Sequence, residues 1–134
     1  MKTGSPIRRF WADRTATAAI DFALTLPVVV LMTVGVMQLG IAFLANAGLR
    51  NAVEVGARYA AIYPYPTDDA IRNKVRANTF GMDSTLLTVN APVRGTSNGE
   101  TYVEVTATYP LRFNLVVIST PAFNITYTRR SYFA

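Results

Sequence analysis

Residues 22–45 read FALTLPVVVLMTVGVMQLGIAFLA, a run of 24 positions without a charge. The uncharged stretch continues to Leu49, and the most polar members of 22–45 are Thr25, Thr33 and Gln38. As a helix such a run rises about 36 Å, while ~30 Å of bilayer hydrocarbon is crossed by about 20 residues. A chain of 134 residues offers too little other protein to bury this helix on all sides, which argues against the core helix of a soluble fold. The expectation is a single transmembrane helix at about 22–45. Pro27 removes one helical hydrogen bond, which membrane helices tolerate. Gly35 and Gly40 permit close approach of another helix, although their spacing is not GxxxG.

Toward the N-terminus, Lys2, Arg8, Arg9 and Arg14 stand against Asp13 alone. Beyond the run come Arg50 and Arg58, partly offset by Glu54. The bias predicts a cytoplasmic N-terminus and a C-terminal domain on the other side. Arg8-Arg9-Phe10 is read as part of this topology signal rather than as a twin-arginine motif. Ala45-Asn46-Ala47 imitates a signal-peptidase site, but the apolar run exceeds the usual signal core of about 7–15 residues and the helical pattern continues past it.

Asp21 immediately precedes the uncharged run. A carboxylate at the bilayer centre costs about 2.5–3.5 kcal/mol, and less near the edge. Two things can offset that cost: the positive end of the helix dipole, or a partner charge from outside the helix. Further on, Gly48, Ala52, Gly56 and Ala60 recur every four residues and form one smooth ridge, flanked by Val53 and Tyr59. The ridge suits packing on the chain's own sheet, ranked first, or packing between subunits. The helix is expected from Thr17 to Ile62 and to stop at Tyr63-Pro64-Tyr65-Pro66, because proline disfavours helix in the residue before it.

Arg14, then Ala16-Thr17-Ala18-Ala19-Ile20-Asp21-Phe22-Ala23-Leu24 with Leu26-Pro27, forms one block, and Asn51-Ala52-Val53-Glu54-Val55-Gly56-Ala57-Arg58-Tyr59-Ala60-Ala61 forms a second. In this order the two blocks resemble the N-terminal signature and the second block of TadE-like proteins. The resemblance implies a minor pseudopilin of the tight-adherence (Flp) pilus machinery, related to type IV pili and type II secretion. It implies a prepilin-type peptidase cut between Ala16 and Thr17, with alanine where the family carries glycine. It also implies a role for Asp21, where the family usually carries Glu: pairing with the new N-terminal amine of a neighbouring subunit during assembly.

The remaining chain reads as a small mixed domain. Thr67 suits an N-cap and Asp68-Asp69 a first turn, so a helix is expected through about Thr79 with Ile71 and Val75 on its apolar side. The Asp pair lacks the oxygen series that a Ca²⁺ site needs. Thr85–Val93 is expected as a strand with Leu87, Val89, Ala91 and Val93 on one face. Residues 101–109 alternate, with Val103, Val105, Ala107 and Tyr109 on the other strand's apolar face. Arg94–Glu100 between them reads as a hairpin loop containing an Asn98-Gly99 turn. Leu115–Ile118 is an apolar connection, and a last strand is expected over about 123–132, with Phe123, Ile125 and Tyr127 on one side. Asn124-Ile125-Thr126 matches a glycosylation sequon only as a chance triplet in a strand.

The chain has no cysteine and no histidine. That excludes disulfides, thiolate metal sites and cysteine nucleophiles, and it removes the commonest general base. Net charge is +5, but it is scattered rather than arranged as a basic stripe with aromatic platforms, so no nucleic-acid partner is expected. Neither a cofactor nor enzymatic activity is expected. The reading is an α+β chain, with a long transmembrane helix continuing into a small antiparallel sheet packed on it, in the manner of pilins. Its parts are a basic cytoplasmic leader at 1–16, the helix at 17–62 and an extracytoplasmic domain at 63–134. The resemblance places it in a bacterial inner membrane or in a pilus, among pilin or pseudopilin subunits, an assembly platform and a prepilin peptidase. The alternative is a bitopic tether for an extracytoplasmic binding module unrelated to pili.

Overall fold

The structure is a computed structural model that describes residues 14–115 and 118–133. The first thirteen residues of the basic leader lie outside the described residues, as do Val116 and Val117 of the apolar connection. Helix α1 spans Arg14–Ala60 and α2 spans Asp68–Ala77. The strands are β1 (Thr88–Val89), β2 (Val93–Ser97), β3 (Glu100–Leu111), β4 (Asn114–Leu115), β5 (Ile118–Ser119) and β6 (Phe123–Phe133). The chain divides into two compact units, one ending at Met37 and one running Gln38–Ala134.

In the first unit the described residues are all helical, and their large apolar side chains, such as Phe22 and Leu24, are exposed. The Thr25 hydroxyl donates to the Asp21 carbonyl and the Thr33 hydroxyl to the Val29 carbonyl, both at 2.8 Å. These i to i−4 bonds satisfy the hydroxyls without water.

In the second unit the sheet is organised around β3. All of its pairings are antiparallel. β1 and β2 share one edge of β3, and β6 pairs along the other from Thr101↔Phe133 to Leu111↔Phe123. The alternation in β3 sends Val103, Val105, Ala107, Tyr109 and Leu111 inward. They share a core with Ala45, Leu49, Ala52, Val53, Ala57 and Ala60 of α1, and with Ile71 and Val75 of α2. Each fully buried Val, Leu or Ile among them contributes about 1.5–3 kcal/mol. The other face carries a polar ladder: Thr106 and Thr128 hydroxyls lie 2.9 Å apart, and those of Thr108 and Thr126 lie 3.0 Å apart. β4 and β5 pair antiparallel as a separate two-stranded sheet.

Three expectations are corrected. The strand expected over Thr85–Val93 is paired only at Thr88–Val89 and again from Val93. The amide of Thr85 donates to the Asp83 carboxylate, and those of Leu86 and Leu87 donate to the Asp83 and Ser84 carbonyls. Those donors are thus committed to a turn, and Pro92 has none to offer. Leu87 and Val89 are buried as expected, but Ala91 and Val93 are exposed. Secondly, Arg94–Ser97 belongs to β2 instead of a long loop. Asn98 (φ 55°) and Gly99 (φ 85°) alone make the turn, since two positive φ values close a two-residue hairpin and let the ladder reach it. Thirdly, the ridge does not meet the sheet alone: Ala52 and Ala60 share the core with β3, while Gly48 and Gly56 lie against the segment after α2 and α2 itself. A Cβ at Gly56 would lie 2.3 Å from Val75 Cγ2, and one at Gly48 would lie 1.9 Å from the Phe80 carbonyl oxygen. The amphipathic α2 forms this extra layer, which the sheet-on-helix expectation left out.

α1 ends at Ala60, two residues before the expected Ile62, in a tightened turn where Ala61 and Ile62 amides reach the Arg58 and Tyr59 carbonyls. Thr67 caps α2 by accepting from the Ala70 amide at 3.3 Å.

Candidate functional site

The chemistry that singles out this chain lies along α1. Its Thr17–Ala60 portion is long and apolar enough to cross a membrane, and only 6% of its most apolar window is buried. A core helix of a soluble protein would be mostly covered. Here the side chains face outward without a protein partner, which is the state that lipid or a neighbouring helix relieves. A Cβ added at Gly35 or at Gly40 would meet nothing within 4 Å, so a second backbone can approach both.

Ala16 and Thr17 both lie within the backbone of α1. Asp21 follows one turn later, exposed, with its backbone carbonyl held by Thr25. None of the ion pairs among the described residues involves its carboxylate. Pro27, six residues on, supplies no amide to the Ala23 carbonyl, so this stretch carries both an acid outside those ion pairs and a helical carbonyl short of its usual donor.

The ridge residues Gly48, Ala52, Gly56 and Ala60 are all buried within the second unit. Around them, Asn51 donates to the Asn78 carbonyl at 3.2 Å, the Tyr127 hydroxyl donates to Glu54 at 3.4 Å, and the Arg50 guanidinium lies 5.4 Å from the centre of the Tyr127 ring. This side of α1 is therefore part of the second unit's own packing.

Most acidic side chains of the second unit have partners of their own. Asp68 accepts from Arg94 at 2.7 Å, and Arg94 also donates to the Pro66 carbonyl. Asp69 pairs with Arg72 at 3.4 Å. Glu104 pairs with Arg130, and that hydrogen bond raises the Arg130 pKa above its ordinary value. The Asp83 carboxyl is held below its ordinary range, first by the Thr85 hydroxyl and then by the Thr85 amide. Among the described residues no three Asp, Glu, His or Cys side chains gather as a metal site would require.

Several of these contacts were not foreseen from the sequence, above all the bond from the Gln38 side-chain amide to the Asn114 carbonyl at 3.1 Å. The only sequence signal was a lone glutamine in an apolar run. Its partner lies 76 positions away, beyond the reach of any periodicity.

Residues 16–58 match the sequence model of a family described as TadE-like protein. The match covers 43 of 134 residues, all of them within α1. Neither a curated protein nor a solved structure matches the chain.

Proposed function

From the premise that residues 16–58 are a TadE-like segment, we propose that this chain is a minor pseudopilin-type component of a tight-adherence pilus or a related secretion machine. It acts as a structural and assembly protein. α1 is its membrane anchor, with the N-terminus cytoplasmic and the sheet domain outside. In the membrane or filament, partner helices pack on the open apolar surface of α1. A prepilin-type peptidase cuts between Ala16 and Thr17, and Asp21 then pairs with the amine of a neighbouring subunit.

The observation that carries this reading is the coincidence of the family match with an uncovered apolar helix that bears one acid, Asp21, ahead of the uncharged run. An acid at that depth is costly unless it is paired, and a subunit amine is a partner of the right charge. The alternative, a bitopic tether unrelated to pili, uses the same helix but has no need for Asp21 or for processing.

Intact mass of the membrane-extracted protein separates the two. The proposal expects loss of residues 1–16, whereas a tether keeps them. Asp21→Ala should abolish incorporation or pilus assembly without lowering the melting temperature of the outer unit, since its carboxylate makes no described ion pair. Full assembly by that variant would remove the role assigned to Asp21.

A further inference from the structure

Within the second unit, the first two turns of α1 beyond Met37 border a groove of about 330 Å³ lined by Ile41, Leu86, Tyr109, Pro110, Leu111 and Arg112. Five of these six side chains present apolar surface. Ile41 is 49% exposed and Leu86 is 52% exposed. The hydroxyl of Tyr109 is engaged, accepting from the Asp83 amide at 3.2 Å, so its ring is what remains for the groove. Arg112 is exposed and takes part in none of the ion pairs among the described residues. The result is an apolar trough with one guanidinium in its lining that no described carboxylate neutralises.

Its surroundings indicate what fills it. Ile41 belongs to the uncharged stretch between Asp21 and Arg50, and the neighbouring Phe43 and Leu44 are exposed as well. The one polar side chain of this part of the helix, Gln38, gives its amide to the Asn114 carbonyl two residues from Arg112. Phe113 and Phe123 stack beside the same segment with ring centres 5.4 Å apart, and Phe123 is 43% exposed. Apolar walls joined to a single cation match the two halves of a phospholipid, and guanidinium recognises phosphate through paired N–H donors.

We propose that this groove seats a phospholipid of the outer leaflet, with an acyl chain along Ile41, Leu86 and Pro110 and the headgroup phosphate on Arg112. The proposal rests on the reading of α1 as a membrane-spanning anchor. It adds that the sheet domain itself is a lipid-contacting body, not merely a cargo held clear of the bilayer.

The chain has no native cysteine, so single-cysteine variants of the full-length protein label at one position. Leu86→Cys, Phe43→Cys and Asn98→Cys, each carrying an environment-sensitive fluorophore, are reconstituted in vesicles of phosphatidylethanolamine and phosphatidylglycerol with doxyl-labelled lipid. Asn98 lies at the far end of β3 from Leu111. Quenching at position 86 should approach that at 43 and clearly exceed that at 98. In parallel, Arg112→Ala should lower the phospholipid retained by the purified protein in native mass spectrometry roughly tenfold, the scale of one lost charge-assisted contact. Arg112→Lys should restore part of it.

Quenching at 43 with none at 86 overturns the groove proposal and leaves the membrane span standing. Absence of quenching at all three positions overturns the span as well. Protection of position 86 only in assembled filaments would assign the groove to a neighbouring subunit, and lipid retention unchanged by Arg112→Ala would remove the phosphate contact.

Discussion

Gly48→Ala adds a single methyl group to a helix, a change that raises intrinsic helix stability by about 1 kcal/mol at an open position. Gly48 is not open. The new Cβ would lie 1.9 Å from the Phe80 carbonyl oxygen, 3.0 Å from its carbon and 3.3 Å from the Met82 methyl. The first of these is about 1.5 Å short of ordinary van der Waals contact, and the atom in the way is backbone, which cannot rotate aside as a side-chain tip can. Overpacking of this kind costs typically about 1–3 kcal/mol. A backbone obstacle puts the cost at the upper end, leaving a net loss of about 1–2 kcal/mol after the propensity gain. The second unit has the size of a small domain, for which each kcal/mol shifts Tm by about 4–8 °C. The expected fall is therefore about 4–16 °C. All seven tyrosines lie between Tyr59 and Tyr132 and the single tryptophan is Trp11, so the tyrosine band of the near-UV circular dichroism spectrum, measured in detergent in a Trp11→Phe background, follows this unit. Gly40→Ala is the matched control, because nothing lies within 4 Å of its Cβ position. A Gly48→Ala protein that melts at or above the parent temperature would refute the claim that Gly48 is held by its contact with the Phe80 segment.

Ile71→Ala should destabilise the second unit by about 2–5 kcal/mol, because Ile71 is wholly buried between α2 and the core and its removal leaves a cavity; the same tyrosine melt reads it. Asp83, whose pKa is depressed by Thr85, contributes its full share to stability above the ordinary aspartate value of 3.8 and loses it as pH falls through its lower folded value. A carboxyl-carbon NMR titration should place its midpoint below 3.8, and Thr85→Val should move that midpoint back up.

Those elements whose cause is local were legible in the sequence. The apolar run declared the first half of α1, Thr67 with Asp68-Asp69 declared the start of α2, and the alternation of Val103, Val105, Ala107 and Tyr109 declared β3 and its inward face. Asn98-Gly99 declared its own turn. What escaped was set by partners distant in the chain. Arg94–Ser97 looks like loop by composition, yet it forms a strand because Glu100–Val103 presents a ladder to it. Thr85–Val93 alternates like a strand, yet Asp83 captures its first amide and Pro92 breaks the pattern. No local pattern required β6 to pair the whole length of β3, although that pairing defines the sheet.

The ridge on α1 shows how one sequence signal can serve two physical ends. Gly48, Ala52, Gly56 and Ala60 have the small-residue spacing that lets any backbone come close, and periodicity alone does not say whose. In the structure the Phe80 carbonyl fits against Gly48 and Val75 fits against Gly56, so the second unit's own residues take that space. A substitution there acts first on the fold, and any assembly defect it causes follows from lost stability. Asp21, Gly35 and Gly40 are the opposite case. None of the three is buried, and a Cβ at either glycine would meet nothing within 4 Å. Substitutions at these three positions should leave the tyrosine melt unchanged, and any effect they have on assembly then reports contact with a partner. Comparing the melt with assembly, variant by variant along α1, therefore separates the part of the helix that builds the domain from the part where, under the proposed function, another subunit is to be sought.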